Sequence, residues 1–248
     1  MTTYSAGVSD RAYSEWKGWE AAPFGDNAEA DTSYFRREIR RVEKISGPIR
    51  SALEVGFGNG SFLGYCRRNQ IDAVGTEINE DRLQAASSAG YAVHPAAALA
   101  SIDRSGFDIA AVFDVLEHLS SSEAMDLLRT LRAKVRPGGA IILRFPNADY
   151  WIGNVNQFGD PTHISQIGYL KLMLYAQQAN LEVAYYGPEA RRGFGAGFAK
   201  GLHEIVTYPV RVAIGCFLRI IYSPGSPLVF TTKNTIAILR KSSEDERT

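Results

Sequence analysis

The run Leu53-Glu54-Val55-Gly56-Phe57-Gly58-Asn59-Gly60 constrains the fold of this chain more than any other stretch. An apolar strand ends in glycines at alternate positions, and Ser61-Phe62-Leu63-Gly64-Tyr65-Cys66-Arg67-Arg68 follows at once with helical character. Glycines at a strand-to-helix turn let the backbone approach a bound nucleotide-like ligand without a Cβ clash. The unit then repeats. Strand Asp72–Glu77, a helix near Glu80–Ala89, a short strand at Ala92-Val93 and strand Asp108–Phe113 come next. A helix from Ser121 to Val135, the turn Arg136-Pro137-Gly138-Gly139 and the apolar strand Ala140–Phe145 complete the series. This alternation predicts an α/β fold: a doubly wound, mostly parallel sheet that binds ligands at the carboxyl ends of its strands.

The flanks divide the chain further. Residues 1–45 form an N-terminal cap and helix: 1–31 show no sustained period, whereas Phe35, Ile39, Val42 and Ile45 recur at helical spacing before Gly47-Pro48. Residues 46–186 are the core, which takes in the loop Pro146–Thr162, a helix Ser165–Gln178 and a strand Leu181–Tyr186. An insertion, 187–230, precedes the last core strand, 231–240, and a charged tail, 241–248. Within the insertion, 202–222 is apolar but interrupted by His203, Glu204, Pro209, Arg211 and Arg219, which argues against a spanning helix. Three roles suit it: a lid, a homodimer face, or a peripheral membrane contact with Arg191, Arg192, Lys200, Arg211 and Arg219 toward anionic headgroups.

Charge bears on the partners. Lys and Arg total 27, as do Asp and Glu, so no global field exists to hold a phosphate backbone and no nucleic-acid partner is expected. Cys66 and Cys216 stand far apart, which speaks against a disulfide framework and a structural zinc site. With Asp10, Arg11, Glu15 and Lys17 in its first twenty residues and no apolar run, the chain shows no secretory signal, and a cytoplasmic location follows as the expectation.

Glu77 ends the second strand about twenty residues after the glycine turn, where a carboxylate can accept both hydroxyls of a ribose; Ile78 would flank an adenine. The third position of a dinucleotide fingerprint holds Ser61, and the last glycine arrives one residue early at Gly60, which disfavours NAD. The buried strand Phe107–Phe113 runs into Asp114-Val115-Leu116-Glu117-His118, an acidic and imidazole-bearing turn. Taken in order, the Glu-x-Gly-x-Gly-x-Gly turn, Glu77, this strand and Arg136-Pro137-Gly138-Gly139 closely resemble the class I S-adenosylmethionine-dependent methyltransferases over about residues 50–186 and the final strand. That resemblance implies a seven-stranded Rossmann-like sheet and S-adenosylmethionine as cofactor. It implies that Gly56, Phe57, Gly58 and Gly60 wrap the methionine part, that Glu54 helps hold its amino group, and that Glu77 binds the ribose. Asp114 and Val115 would lie beside the methyl-donor side. One departure stands out: many relatives place an Asp near the adenine after the third strand, where this chain reads Ala96-Ala97-Ala98-Leu99.

Asp114, Glu117 and His118 are spaced i, i+3, i+4, so a helical turn would put all three on one face as a divalent-ion site. His163, in Asp160-Pro161-Thr162-His163, would return over the same sheet edge as a fourth ligand. This is similar to the metal-dependent small-RNA 2′-O-methyltransferases, which hold magnesium against vicinal hydroxyls, and to some ubiquinone-pathway O-methyltransferases. Without a metal, Glu117 and His118 order the site and His163 is the expected general base. His94 and His203 read as ordinary surface or packing residues.

The Asp160–His163 element and the long insertion look like bacterial glycan and lipopolysaccharide-associated O-methyltransferases, with Trp16, Trp19, Tyr150 and Trp151 stacking on sugar rings. The expected activity is O-methylation of a small-molecule or glycan hydroxyl in a surface-glycan or natural-product pathway. Methylation of a quinone-like or lipid acceptor is the first alternative, and a non-catalytic cofactor-binding protein is the second.

Overall fold

The computed structural model describes residues 10–19, 22–26, 29–150, 155–192 and 197–241. Strands β1 (Ser51–Val55), β2 (Asp72–Glu77), β3 (Ala92–Pro95), β4 (Phe107–Phe113), β5 (Val135–Pro146), β6 (Leu181–Pro188) and β7 (Asn234–Lys241) form one 7-stranded sheet in the order β3-β2-β1-β4-β5-β7-β6. Only β7 runs antiparallel to its neighbours, so the mostly parallel doubly wound architecture stands as the sequence predicted.

Period-two burial divides β4 and β5 between two cores. Ala110, Val112, Ile141, Leu143 and Phe145 face a layer that includes Leu128 and Leu131 of α5 (Ser121–Lys134) and Leu172 of α7 (Tyr169–Gln178). Ile109, Ala111, Ala140 and Ile142 face the other layer, with Phe35, Ile39 and Val42 of α2 (Glu29–Ser46) and Phe62 and Cys66 of α3 (Ser61–Arg68). A short helix α4 (Glu80–Ser88) follows β2, capped by the Asn79 side chain, which accepts from the Arg82 amide at 3.1 Å.

Four boundaries differ from the sequence expectation. The cap is not wholly irregular: α1 spans Asp10–Trp16. The Arg136-Pro137-Gly138-Gly139 turn is absorbed into β5, with a register irregularity opposite Phe107 and Ile109. Ser165 stays outside α7 because its amide donates to the Glu117 carbonyl at 2.9 Å and its hydroxyl to the Leu119 carbonyl at 2.6 Å. A further short helix, α6 (Val155–Phe158), interrupts the loop after β5. The insertion, whose secondary structure the sequence left open, carries α8, Phe198–Tyr222, a helix that continues through Pro209. Among the described residues its Gly201–Tyr222 portion is long and apolar enough to cross a membrane by length and composition.

The amino edge of the sheet is fastened by Asp108. One carboxylate oxygen accepts from the amides of Arg50 and Ser51 at 2.9 Å each, and the other from Arg136 Nε at 2.6 Å. Burial pushes this carboxyl up, but Arg136 and the donors from Arg50 and Ser51 outweigh it and hold the pKa below the usual value. A depressed carboxylate pKa stabilises the fold above the unfolded value near 4 and loses that contribution as pH falls through the folded value. Urea unfolding should therefore show Asp108→Asn destabilised by about 1–3 kcal/mol at pH 7. The gap from the parent chain should narrow below roughly pH 4.

Candidate active site

Parallel register brings three strand ends to one level, because Val55 pairs with Thr76 of β2 and with Val112 of β4. A cavity of ≈ 320 Å³ opens at this carboxyl edge. Glu77 is 4% exposed, and its carboxylate organises the turn beside it. One oxygen accepts from the Gly58 amide at 2.9 Å, the other from the amides of Ile78 and Asn79 at 2.8 and 3.1 Å. Glycine is required at two turn positions. Gly56 has φ +70° and a Cβ there would sit 2.5 Å from Val115 Cγ2, while at Gly60, φ +76°, it would sit 2.3 Å from the Phe24 ring.

Glu54 lies beneath this turn with one oxygen, Oε2, buried and without a hydrogen-bond partner. Burial, reinforced by the Glu77 charge, raises its pKa well above the usual carboxylate value. Glu54 and Glu77 both line the cavity, and the buried orphan oxygen of Glu54 is poised for a cationic donor.

After β4 the chain turns at Asp114, whose φ of 56° is uncommon for a residue with a Cβ. The turn is held from β5. Register places Phe113 opposite Arg144, the Asp114 amide donates to the Arg144 carbonyl at 2.9 Å, and the Arg144 guanidinium donates through Nε and Nη2 to both Asp114 oxygens. Arg144 stays cationic despite its burial because Asp114 sits against it.

The following turn, Leu116–His118, is a 3₁₀ helix terminated by the capping box Ser120/Glu123 that opens α5. The Glu117 carbonyl accepts from the amides of Ile164 and Ser165 at 2.9 Å each, which ties the loop after β5 to this turn. His118 Nδ1 lies 3.2 Å from the Thr162 carbonyl, which can only accept, so Nδ1 carries the hydrogen and the lone pair of the neutral ring is on Nε2. Nδ1 also lies 3.0 Å from the Thr162 hydroxyl, which donates to Asp160 Oδ1 at 2.5 Å. Asp160 in turn pairs with Lys17 at 3.1 Å. Burial, with the neighbouring His163, lowers the His118 pKa to about 4, so the ring is neutral at physiological pH.

The predicted residues do not all reach the cavity. Glu54, Gly56, Phe57, Gly58, Glu77 and Ile78 line it, as do Asp114, Val115 and His118. Gly60, Glu117 and His163 lie outside the lining. His163, the expected general base, packs edge-on against His118 at a ring separation of 4.7 Å, and its side chain is 6% exposed. The expected four-ligand metal set also changes. Asp114 does not share a face with the others, since the positive-φ turn directs it to Arg144; among the described residues Glu117, His118 and His163 offer ligand atoms within 4.8 Å of one another. Ala96 lines the cavity, so the wall there is apolar. Of the aromatics assigned to sugar stacking, Trp19 lines the cavity and packs over Gly58, Trp16 and Tyr150 do not line it, and Trp151 lies outside the described residues.

Lys17, Arg144 and Thr162 line the cavity without having been assigned to the site from the sequence, and so does Arg192, which the sequence had turned toward anionic headgroups. Arg144 did leave a signal, a cation in the otherwise apolar run Ala140–Phe145.

A family model described as a methyltransferase domain matches residues 28–186. The chain belongs to this methyltransferase family. No curated protein matches the sequence. Among solved structures, a SAM-dependent methyltransferase from Archaeoglobus fulgidus is 20% identical, with a TM-score of 0.58 over 85% of this chain and 94% of its own. The mitomycin 7-O-methyltransferase MmcR is 12% identical, with a TM-score of 0.61 over 97% of this chain and 61% of its own. The [4+2]-cyclase SpnF is similar to the same degree, at 16% identity and a TM-score of 0.58 over 97% and 96%. Likeness at this level is likeness of fold, and the cyclase illustrates that the fold alone does not set the reaction.

The enzyme is an S-adenosylmethionine-dependent methyltransferase, and its own residues fit that cofactor. Glu77 suits the ribose hydroxyls and Ile78 with Ala96 the adenine. The orphaned Glu54 oxygen suits the amino group, directly or through the turn. Bound there, the sulfonium supplies an electrophilic methyl group. Calorimetric titration with S-adenosylhomocysteine should show Glu77→Ala weakened by roughly a hundredfold or more, since hydrogen bonds to a charged group are each worth about 1.5–3 kcal/mol; unchanged affinity would overturn this placement.

Proposed function

We propose that this methyltransferase acts on a hydroxyl, of a sugar or a sugar-bearing natural product, and that His118 receives the hydroxyl proton. The observation that carries the reading is the neutral His118 imidazole at the cavity wall, its tautomer fixed by Thr162 and the threonine fixed by Asp160. Methyl transfer asks for an in-line approach of the acceptor and little covalent machinery. As the acceptor oxygen bonds to the methyl carbon, the sulfur–carbon bond breaks and the hydroxyl proton passes to Nε2 of His118. Asp160 supports the developing imidazolium through the Thr162 hydroxyl, and Lys17 keeps Asp160 in place. Trp19 offers an aromatic wall for a sugar face, and Lys17, Asp114 and Arg192 offer polar groups for its other hydroxyls.

A divalent ion held by Glu117, His118 and His163 is the second reading, favoured by two buried atoms without hydrogen-bond partners, Glu117 Oε2 and His163 Nδ1. Two imidazoles and one carboxylate suit a transition metal better than magnesium, which prefers oxygen ligands.

The test is release of S-adenosylhomocysteine with a panel of sugar nucleotides, glycosides, phenols and amines. Turnover with hydroxyl acceptors supports the proposal, and turnover confined to amines overturns it. With an active acceptor in hand, His118→Ala should lower kcat by roughly 10²–10⁴ while leaving S-adenosylhomocysteine affinity intact. Thr162→Val should lower kcat less and leave KM nearly unchanged. Loss of activity in chelator, restored by manganese or zinc, would select the metal reading instead.

A further inference from the structure

Helix α8 wears its apolar side outward. At about 100° per residue, Leu202, Ile205, Val206, Pro209, Ala213, Phe217 and Ile220 share one stripe. The large residues of that stripe are open to solvent: Ile205 is 52% exposed, Val206 62%, Phe217 62% and Ile220 73%. The side turned to the body carries Gly201, Glu204, Thr207, Gly215 and Leu218, which are buried or half-buried, and Gly215 meets Thr231. A surface helix of a water-exposed face has the opposite arrangement. Among the helix residues whose burial is described only Gly201 and Leu218 are buried, so α8 is not a core helix.

Spanning is excluded by the connections. α8 lies between β6 and β7, whose facing ends pair Pro188 with Thr235 at the carboxyl edge of the sheet. Crossing a bilayer would carry Tyr222 to the far side, and residues 223–233, with Ser223, Ser226 and Lys233, would have to return through hydrocarbon as irregular backbone. Lipid-exposed backbone of that kind has no partners for its polar groups. The helix, about 37 Å long at 1.5 Å per residue, therefore suits a position in the plane of an interface. Charge names the interface. Arg191, Arg211 and Arg219 are exposed on or beside the helix, whose one acid among the described residues is Glu204, while Arg192 is held by Asp31 at 3.4 Å, a balance that draws anionic headgroups and repels a second copy of the same face.

We propose that α8 docks the enzyme on an anionic lipid bilayer, lying in the headgroup region with the stripe Leu202–Ile220 inward, and that the cavity mouth stands beside that contact. Arg191 stacks on Tyr208 of α8 at 4.0 Å, and the adjacent Arg192 lines the cavity. An acceptor carried on a lipid anchor would thus reach the site from the membrane side. The inference stands apart from the choice of proton acceptor.

The test uses the full chain in flotation with vesicles of phosphatidylethanolamine and phosphatidylglycerol, beside vesicles of phosphatidylcholine alone. Binding to the anionic vesicles, weakened by added salt, is expected. The double variant Val206→Glu/Phe217→Glu should lose roughly a hundredfold or more in partitioning. Its S-adenosylhomocysteine affinity should be unchanged, which shows that it folds and separates this inference from the cofactor assignment. Cys216 is exposed and Cys66 buried, so an environment-sensitive fluorophore attaches at Cys216 alone. Its emission should shift to the blue on vesicles and be quenched by nitroxides near the headgroups. Three results overturn the proposal: no flotation with anionic vesicles, quenching greatest at the bilayer centre, or a dimer that the double variant dissociates without any vesicle binding.

Discussion

The pairing of Asp114 with Arg144 across β4 and β5 sets the geometry on which the cavity depends. A residue with a Cβ held at positive φ costs roughly 1–3 kcal/mol in an unsupported turn. Here a two-point guanidinium contact and the Arg144 carbonyl hold it. Because Asp114 turns in this way, Val115 is delivered against Gly56, and the 3₁₀ turn that follows brings His118 to the wall. The Glu117 carbonyl then fastens the loop that supplies Thr162 and Asp160. One ion pair between neighbouring strands thereby positions the cofactor turn and the acceptor side together.

The site also sorts its acids by surroundings. Glu77 is satisfied by three backbone amides, whereas Glu54 and Glu117 are buried with one oxygen each unpartnered and have raised pKa values. Asp160 keeps its pKa near 2, because Thr162 and Lys17 outweigh its burial. A compact site can therefore hold several carboxyl groups without the mutual repulsion that their formal charges suggest.

Much of this was legible in the residues. Glycine spacing, the acid at the end of β2 and strand–helix alternation each reflect local chemistry, and α3 and β2 fall where the sequence placed them. What escaped was decided by contacts distant in sequence. Asp114 seemed to share a helical face with Glu117 and His118, but the partner that turns it aside is thirty residues on in β5. His163 looked like the base, yet the fold sets it behind His118. The interruptions in 202–222 argued against a spanning helix; that the stretch forms one helix, with Glu204 and Arg211 away from the apolar stripe, shows in the spacing of its residues rather than in their number.

Trp19 and Phe24, which pack over Gly58 and Gly60, precede the stretch matched by the family at residues 28–186. Lys17, from the same segment, reaches across to Asp160. The cover over the glycine turn and one contact to the Asp160 loop thus come from chain outside the stretch that the family model matches. Such an arrangement is modular: residues 10–26 can change and reshape the mouth of the cavity while the backbone contacts that hold the glycine turn stay in place.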